Sequence, residues 1–124
     1  MTIRAIFVAA LLLIIRCASA QDDTVSFAEA ERAFSLQPTN AETKAYRHTW
    51  EEFNNANHLD EKDDCYSKAD GSLVQILQID SEGKVVGYFA DKDNGRSQCW
   101  RRTYMGVIFP KPPFAPFYHR LEMQ

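Results

Sequence analysis

Leu73-Val-Gln-Ile-Leu-Gln-Ile79, Asp80-Ser-Glu-Gly83 and Lys84-Val-Val-Gly-Tyr-Phe-Ala90 are two aliphatic, β-branched runs separated by four turn-forming residues, and they decide the fold. Branching at Cβ suits a pleated strand better than a helix. A short glycine-containing loop between two such runs closes an antiparallel hairpin. Downstream, Asp91-Lys-Asp-Asn-Gly95 breaks the second strand. Ser97 is placed to cap a helix through Tyr104, with Cys99, Trp100 and Thr103 turned inward and Arg96, Arg101 and Arg102 outward. Gly106 suits the C-terminal end of that helix. Phe109-Pro-Lys-Pro-Pro113 must then be extended, because each proline fixes its own φ and restrains the residue before it. Phe117, His119, Leu121 and Met123 alternate with Tyr118, Arg120 and Glu122, the pattern of a last strand with one buried face.

Working upstream, Thr39-Asn-Ala-Glu42 fits a capping box. It opens a helix in which Tyr46, Thr49, Trp50 and Phe53 share one side, while Glu42, Lys44, Arg47, Glu51 and Glu52 take the others. Asn54-Asn-Ala-Asn57 should fray it. Ser26-Phe-Ala-Glu29 repeats the capping signature for a shorter helix that buries Phe27, Ala30 and Phe34 and stops near Leu36, before Pro38. Residues 21–25 read as a solvated leader and Asp60–Asp64 as an acidic, solvated connector. The order is α-α-β-β-α-β. The fold class is therefore α+β: two N-terminal helices, then a β-β-α-β unit with a small antiparallel sheet.

The first twenty residues have a different character. Arg4 precedes an apolar run from Ala5 to Ile15, and Ala18-Ser-Ala20 ends the segment, the parts of a secretory signal cleaved after Ala20. The run is shorter than the roughly 20 residues a spanning helix needs, so no stable membrane anchor is expected after cleavage. Ile15-Arg16 before Cys17 argues against a lipid-modified cysteine, and Cys17 leaves with the leader. Residues 21–64 then form a helical region and 65–124 an α+β region, together one domain. Losing Arg4 and Arg16 takes the formal charge from −3 to −5. An acidic chain of this size is a poor partner for nucleic acid or an anionic membrane. Cys65 and Cys99 remain, and in an oxidising compartment they form one disulfide. Closing a loop of about 35 residues stabilises a chain by roughly 4 kcal/mol.

Residues 71–123 resemble the C-terminal domain of the TonB family. The likeness rests on the hairpin with Asp80-x-x-Gly-x-Val85, the helix carrying Cys99-Trp-Arg-Arg, the exit at Phe109-Pro110 and the last strand ending at Met123. The resemblance implies a periplasmic β-β-α-β unit that pairs by strand addition with a plug-domain peptide of outer-membrane receptors. TonB proteins keep a membrane anchor and a long proline-rich span, where this sequence has a cleavable leader and acidic helices. Transmission of force from the inner membrane is therefore not implied. Recruitment of a strand at an open sheet edge is.

No residue is assigned to catalysis, to a cofactor or to a metal. His48, His58 and His119 lack ligand spacing, and Asp91–Gly95 fails the EF-hand pattern because Arg96 and Arg102 stand where glycine and glutamate belong. Phe109-Pro-Lys-Pro-Pro-Phe-Ala-Pro-Phe-Tyr118 packs four prolines and four aromatics into ten residues. It reads either as a pre-organised contact surface or as a rigid crossover that fills the core rim. The candidate partner contacts are Phe109, Pro110, Phe114, Phe117, Tyr118, Arg101 and Arg102. The expected function is a non-enzymatic periplasmic binding or adaptor module that engages an envelope protein by a sheet edge or this segment. A secreted inhibitor or immunity-type protein that blocks a toxin or hydrolase is the second reading.

Overall fold

The computed structural model describes residues 23–124, and the expected leader with its cleavage after Ala20 lies outside them. The chain runs α1 (Asp23–Ser35), α2 (Ala41–Ala56), a one-turn 3-10 helix (Cys65–Lys68), β1 (Leu73–Ile79), β2 (Val85–Ala90), α3 (Gly95–Tyr104) and β3 (Phe117–Met123). This is the α+β arrangement that the periodicities predict. The three strands are antiparallel in the order β2-β1-β3.

Successive side chains of a strand point to opposite faces, and the register sorts them here. Leu77 lies between Tyr88 and His119, and Ile79 between Val85 and Phe117. With Leu73 and Met123 these residues form one buried face. It packs against Tyr46 and Trp50 of α2 and Trp100 and Tyr104 of α3 in a single core. Trp50 is stacked on Phe109 at 4.7 Å, and Tyr46 meets Phe117 edge-on at 4.7 Å. Such pairs add roughly 0.5–1.5 kcal/mol each beyond burial. Ile76 points the other way and is also fully buried. Its cover is α1, which touches all three strands and buries Ala30 there. Both helices therefore pack on the sheet, one on each face.

The helix ends correct the sequence at three places. Helix α1 is already formed at Asp23, the first described residue, so Ser26 lies inside it and the stretch expected to be solvated over 21–25 is helical from Asp23 on. Asn40 rather than Thr39 caps α2, accepting from the Thr43 amide at 3.0 Å. In α3 the cap is Asn94, and Ser97 is its reciprocal partner. The Ser97 amide donates to Asn94 Oδ1 at 3.0 Å, and the Asn94 amide donates to Ser97 Oγ at 2.9 Å.

Two expectations of loose chain also fail, for the same reason. Asn54 does not fray α2, because it is buried, accepts from the Tyr104 hydroxyl at 3.0 Å and donates to Asp60 at 3.3 Å. The acidic connector is strapped to α3 rather than solvated throughout. Leu59 is in the core, the Asp60 carbonyl accepts from Trp100 Nε1 at 3.1 Å, and Asp63 accepts from the Thr103 hydroxyl.

The Cys65–Cys99 disulfide completes that strap. It joins the 3-10 turn to α3, and both sulfur-bearing residues are buried. Replacing both cysteines by alanine should lower stability by about 3–4 kcal/mol, read as a fall in the urea midpoint with a steeper slope, because the uncrosslinked unfolded chain exposes more surface. An unchanged midpoint would show that the connector is held by its hydrogen bonds alone.

Candidate functional site

The proline-aromatic segment is a crossover. Phe109 and Phe117 are in the core, 2% and 0% exposed, and cannot meet a partner in the folded chain. Phe114 is half-buried against Phe117, with ring centroids 5.3 Å apart. The Tyr46 hydroxyl, its pKa pushed up to about 12 by burial, donates to the Pro110 carbonyl at 2.8 Å and ties the half-buried turn to α2. Tyr118 is half-buried too. The proline run thus carries the chain from α3 to β3 while its aromatic rings fill the rim.

The sheet edges carry the unpaired main-chain groups. In an antiparallel sheet each residue directs both its N–H and its C=O to the same side, and the direction alternates along the strand. The Asp91 amide donates to the Val74 carbonyl at 3.1 Å, which sets the phase. Val74, Ile76 and Gln78 face β2, so Phe89 and Gly87 face β1 while Tyr88 and Ala90 face away from the sheet. The same phase, carried through the pair Gln78↔Tyr118, directs the main chain of Tyr118 away from β1.

That prediction of phase is met at β3 by a side chain. Gln37, between α1 and α2, donates its amide to the Tyr118 carbonyl at 2.9 Å and accepts from the Tyr118 amide at 2.6 Å. It pairs with the strand as a neighbouring peptide group would. Glu31 of α1 lies 3.6 Å from Arg120, and the Arg47 guanidinium of α2 sits over the Phe34 ring of α1 at 5.2 Å. The α1–α2 hairpin thus folds around the β3 edge, with one helix on each face.

The β2 edge is different. Its first residues are paired by the chain leaving α3. The Val85 amide donates to the Val107 carbonyl and the Gly106 amide to the Val85 carbonyl, each at 2.9 Å, and Phe109 donates to Gly83. Gly83 has φ +90°, and a Cβ there would collide with the Phe109 carbonyl oxygen, so this close approach requires glycine. Beyond Val85 the pairing stops. Among the described residues, nothing bonds the outward groups of Tyr88 and Ala90.

Beside this open stretch the surface is apolar. Val86 is 43% exposed, Met105 43% and Ile108 64%. Each is next in sequence to a residue of the Val85 ladder, and Ile108 is paired with the exposed Lys84. Arg101 and Arg102 precede Met105 by one helical turn, the spacing at which side chains adjoin. Arg102 is exposed, and Arg101 lies over the Tyr88 ring at 5.2 Å. Of the contact residues named from sequence, the two arginines adjoin the open edge. Phe109, Pro110, Phe114, Phe117 and Tyr118 belong to the interior and the crossover. Val86, Met105 and Ile108 were missed because exposure of single apolar residues has no sequence signature.

The histidines are dispersed. His48 is exposed, 2.8 Å from Glu52, and His58 is an exposed turn residue with φ 50°. His119 is 3% exposed and lies on Trp50, ring centroids 4.0 Å apart. Burial, aided by the nearby Arg47 charge, lowers its pKa from the ordinary 6.5 to about 3.

Two predictions follow from this geometry. The unfolded chain binds a proton at His119 more readily than the folded one does. Its contribution to stability is therefore whole above pH 6.5 and is lost as pH falls towards 3, by roughly 1 kcal/mol per pH unit. His119→Leu should flatten the acid limb of a urea-stability profile over that range, and an unchanged slope would refute the assignment. Separately, the Tyr118 amide should be protected from hydrogen exchange and become fast in Gln37→Ala, with the Leu77 amide unaffected. A Tyr118 amide that stays slow would mean that the clasp is not what protects it.

No protein-family model, curated protein or solved structure matches this chain.

Proposed function

We propose that this protein is an exported, non-catalytic binding module of the bacterial periplasm, and that it takes up an extended segment of an envelope protein along the outer edge of β2. The observation that carries the reading is the conjunction at one place of the unpaired main chain of Tyr88 and Ala90, the apolar group Val86, Met105 and Ile108, and the cations Arg101 and Arg102. In strand addition main-chain hydrogen bonds supply affinity and neighbouring side chains supply choice. The apolar and cationic surroundings suit a segment that alternates apolar and acidic residues.

Two further observations support it. The order β1-β2-α3-β3 agrees with the unit implied by the likeness to the TonB C-terminal domain. The disulfide fits an oxidising compartment. At the β3 edge, to which the family likeness points equally, the outward groups of Tyr118 are taken by Gln37.

The test uses Ala90→Pro. The Ala90 N–H faces away from β1, so proline there removes an outward donor without touching the ladder, as edge strands allow. Stability should change by less than about 1 kcal/mol. A photo-crosslinking residue at position 108, introduced in cells, should trap one envelope protein in the otherwise native chain and lose it in Ala90→Pro and in Met105→Glu. Trapping that survives both substitutions would overturn the reading. A trapped toxin or hydrolase would move the protein to the inhibitor class while keeping the edge.

A further inference from the structure

The β2 edge is short and bounded. On one side the Gly106–Phe109 strap has already paired with Gly83 and Val85, and on the other the chain turns after Ala90 into the cap of α3. What is left is the stretch 86–90, with outward groups at Tyr88 and Ala90. We infer that a second copy of this chain fills it, the two β2 strands pairing antiparallel about a two-fold axis at Phe89. The inference rests on the β2 edge being the binding edge and adds what occupies it when no partner is bound.

The register is decided by the alternation. Only outward-facing residues can form hydrogen-bonded pairs across a new interface. Centred on Phe89, Tyr88 stands opposite Ala90 of the second copy and Ala90 opposite its Tyr88, so both free residues are used in each chain. Centred on Tyr88, the second pair would need Val86, which sits at the irregularity where the ladder shifts between Gln78 and Ile79. Centred on Ala90, it would need Lys92, which lies in the turn and whose amine bonds the Ser72 carbonyl. One symmetric register therefore uses the whole edge.

Side chains and charge agree with it. Phe89 is half-buried and would meet its own copy in a non-hydrogen-bonded pair, where Cα atoms approach to about 4.5 Å. The ring covers its remaining face on an identical ring, a favourable aromatic contact. The edge is also polar in the electrostatic sense. Lys84 stands at its beginning, and Asp91 and Asp93 follow its end on either side of Lys92, all four exposed. An antiparallel two-fold sets the acidic end of each copy beside the basic end of the other. The result is one six-stranded sheet with both α1 helices on one face. The envelope partner and the second copy would then compete for the same hydrogen bonds.

Sedimentation velocity on the purified protein, from roughly 10 µM to 1 mM, should show a reversible monomer–dimer equilibrium. Ala90→Pro should be monomeric across that range, and Lys84→Glu should weaken the dimer at least tenfold. Mild oxidation of Phe89→Cys should give a disulfide-linked dimer, because that Cα separation lies within the range a disulfide spans. Leu121→Cys on β3 should not crosslink. A native protein that stays monomeric to 1 mM, or a dimer that persists in Ala90→Pro, overturns the self-pairing. Equal crosslinking from Phe89→Cys and Leu121→Cys overturns it as well. The trapping experiment at position 108 judges the envelope partner separately. A monomeric protein whose trapped partner is lost in Ala90→Pro refutes the dimer and keeps strand addition, whereas a dimer with no Ala90-dependent partner does the reverse.

Discussion

A strand residue can offer its main chain to only one neighbour at a time, and in β1 that choice is fixed by a single hydrogen bond, from the Asp91 amide to the Val74 carbonyl. From it follows which residues of β2 and β3 look outward. The Gln37 clasp on Tyr118 is an independent observation that agrees with the same phase. A slip of one residue in the β1–β2 pairing would reverse the β2 edge, and one in the β1–β3 pairing the β3 edge. It would also turn Val85 and Tyr88, or Phe117 and His119, out of the core, which is why burial on one face holds the outer edges in register.

The two edges are treated unequally by the rest of the chain. The α1–α2 hairpin closes around β3, using a glutamine side chain where a strand would otherwise be needed. At β2 the strap after α3 covers Gly83 and Val85 and then stops. Exposed edges invite unwanted pairing, and proteins ordinarily blunt them with charge, proline or cover. Here β3 is closed at Tyr118, and the open remainder of β2 is short, apolar at its margin and flanked by arginine.

Much of this fold was legible because its signals are local. The branched run Leu73–Ile79, the glycine turn at Gly83 and the alternation from Phe117 to Met123 act over a few residues, and the strands fall within a residue of their sequence limits. Cys65 and Cys99 were legible by elimination. Helix starts were not, because Thr39 and Asn40, or Asn94 and Ser97, are all competent caps, and tertiary packing chooses between them. Asn54 defied its propensity because Tyr104, fifty residues away, supplies its partner. The site was legible only as a class. That some edge is open follows from three strands in a sheet. That β2 is the edge with apolar surface beside it, and that Gln37 closes Tyr118 across 81 residues, no pattern in either segment announces.

The buried face of the sheet holds a polar trace that hydrophobicity alone would not place there. Gln75 accepts from the Tyr88 hydroxyl, yet its Nε2 and both ring nitrogens of His119 have no hydrogen-bond partner among the described residues. Each such group costs roughly 1–3 kcal/mol relative to a satisfied one. Gln75 and His119 are diagonal neighbours on β1 and β3, since His119 stands opposite Leu77 and Gln75 opposite Leu121. The register that seats Leu77 in the core between Tyr88 and His119 must also bury these two. Stacking of His119 on Trp50 offsets part of that cost, and the depressed pKa keeps the ring uncharged where a cation would be expelled. An apolar pair would hold the sheet more tightly. What the polar pair adds is a penalty for slipping: a two-residue shift of β3 keeps every face correct but separates His119 from the ring that shields it, so the alignment of β3 is held by aromatic contact as well as by alternation.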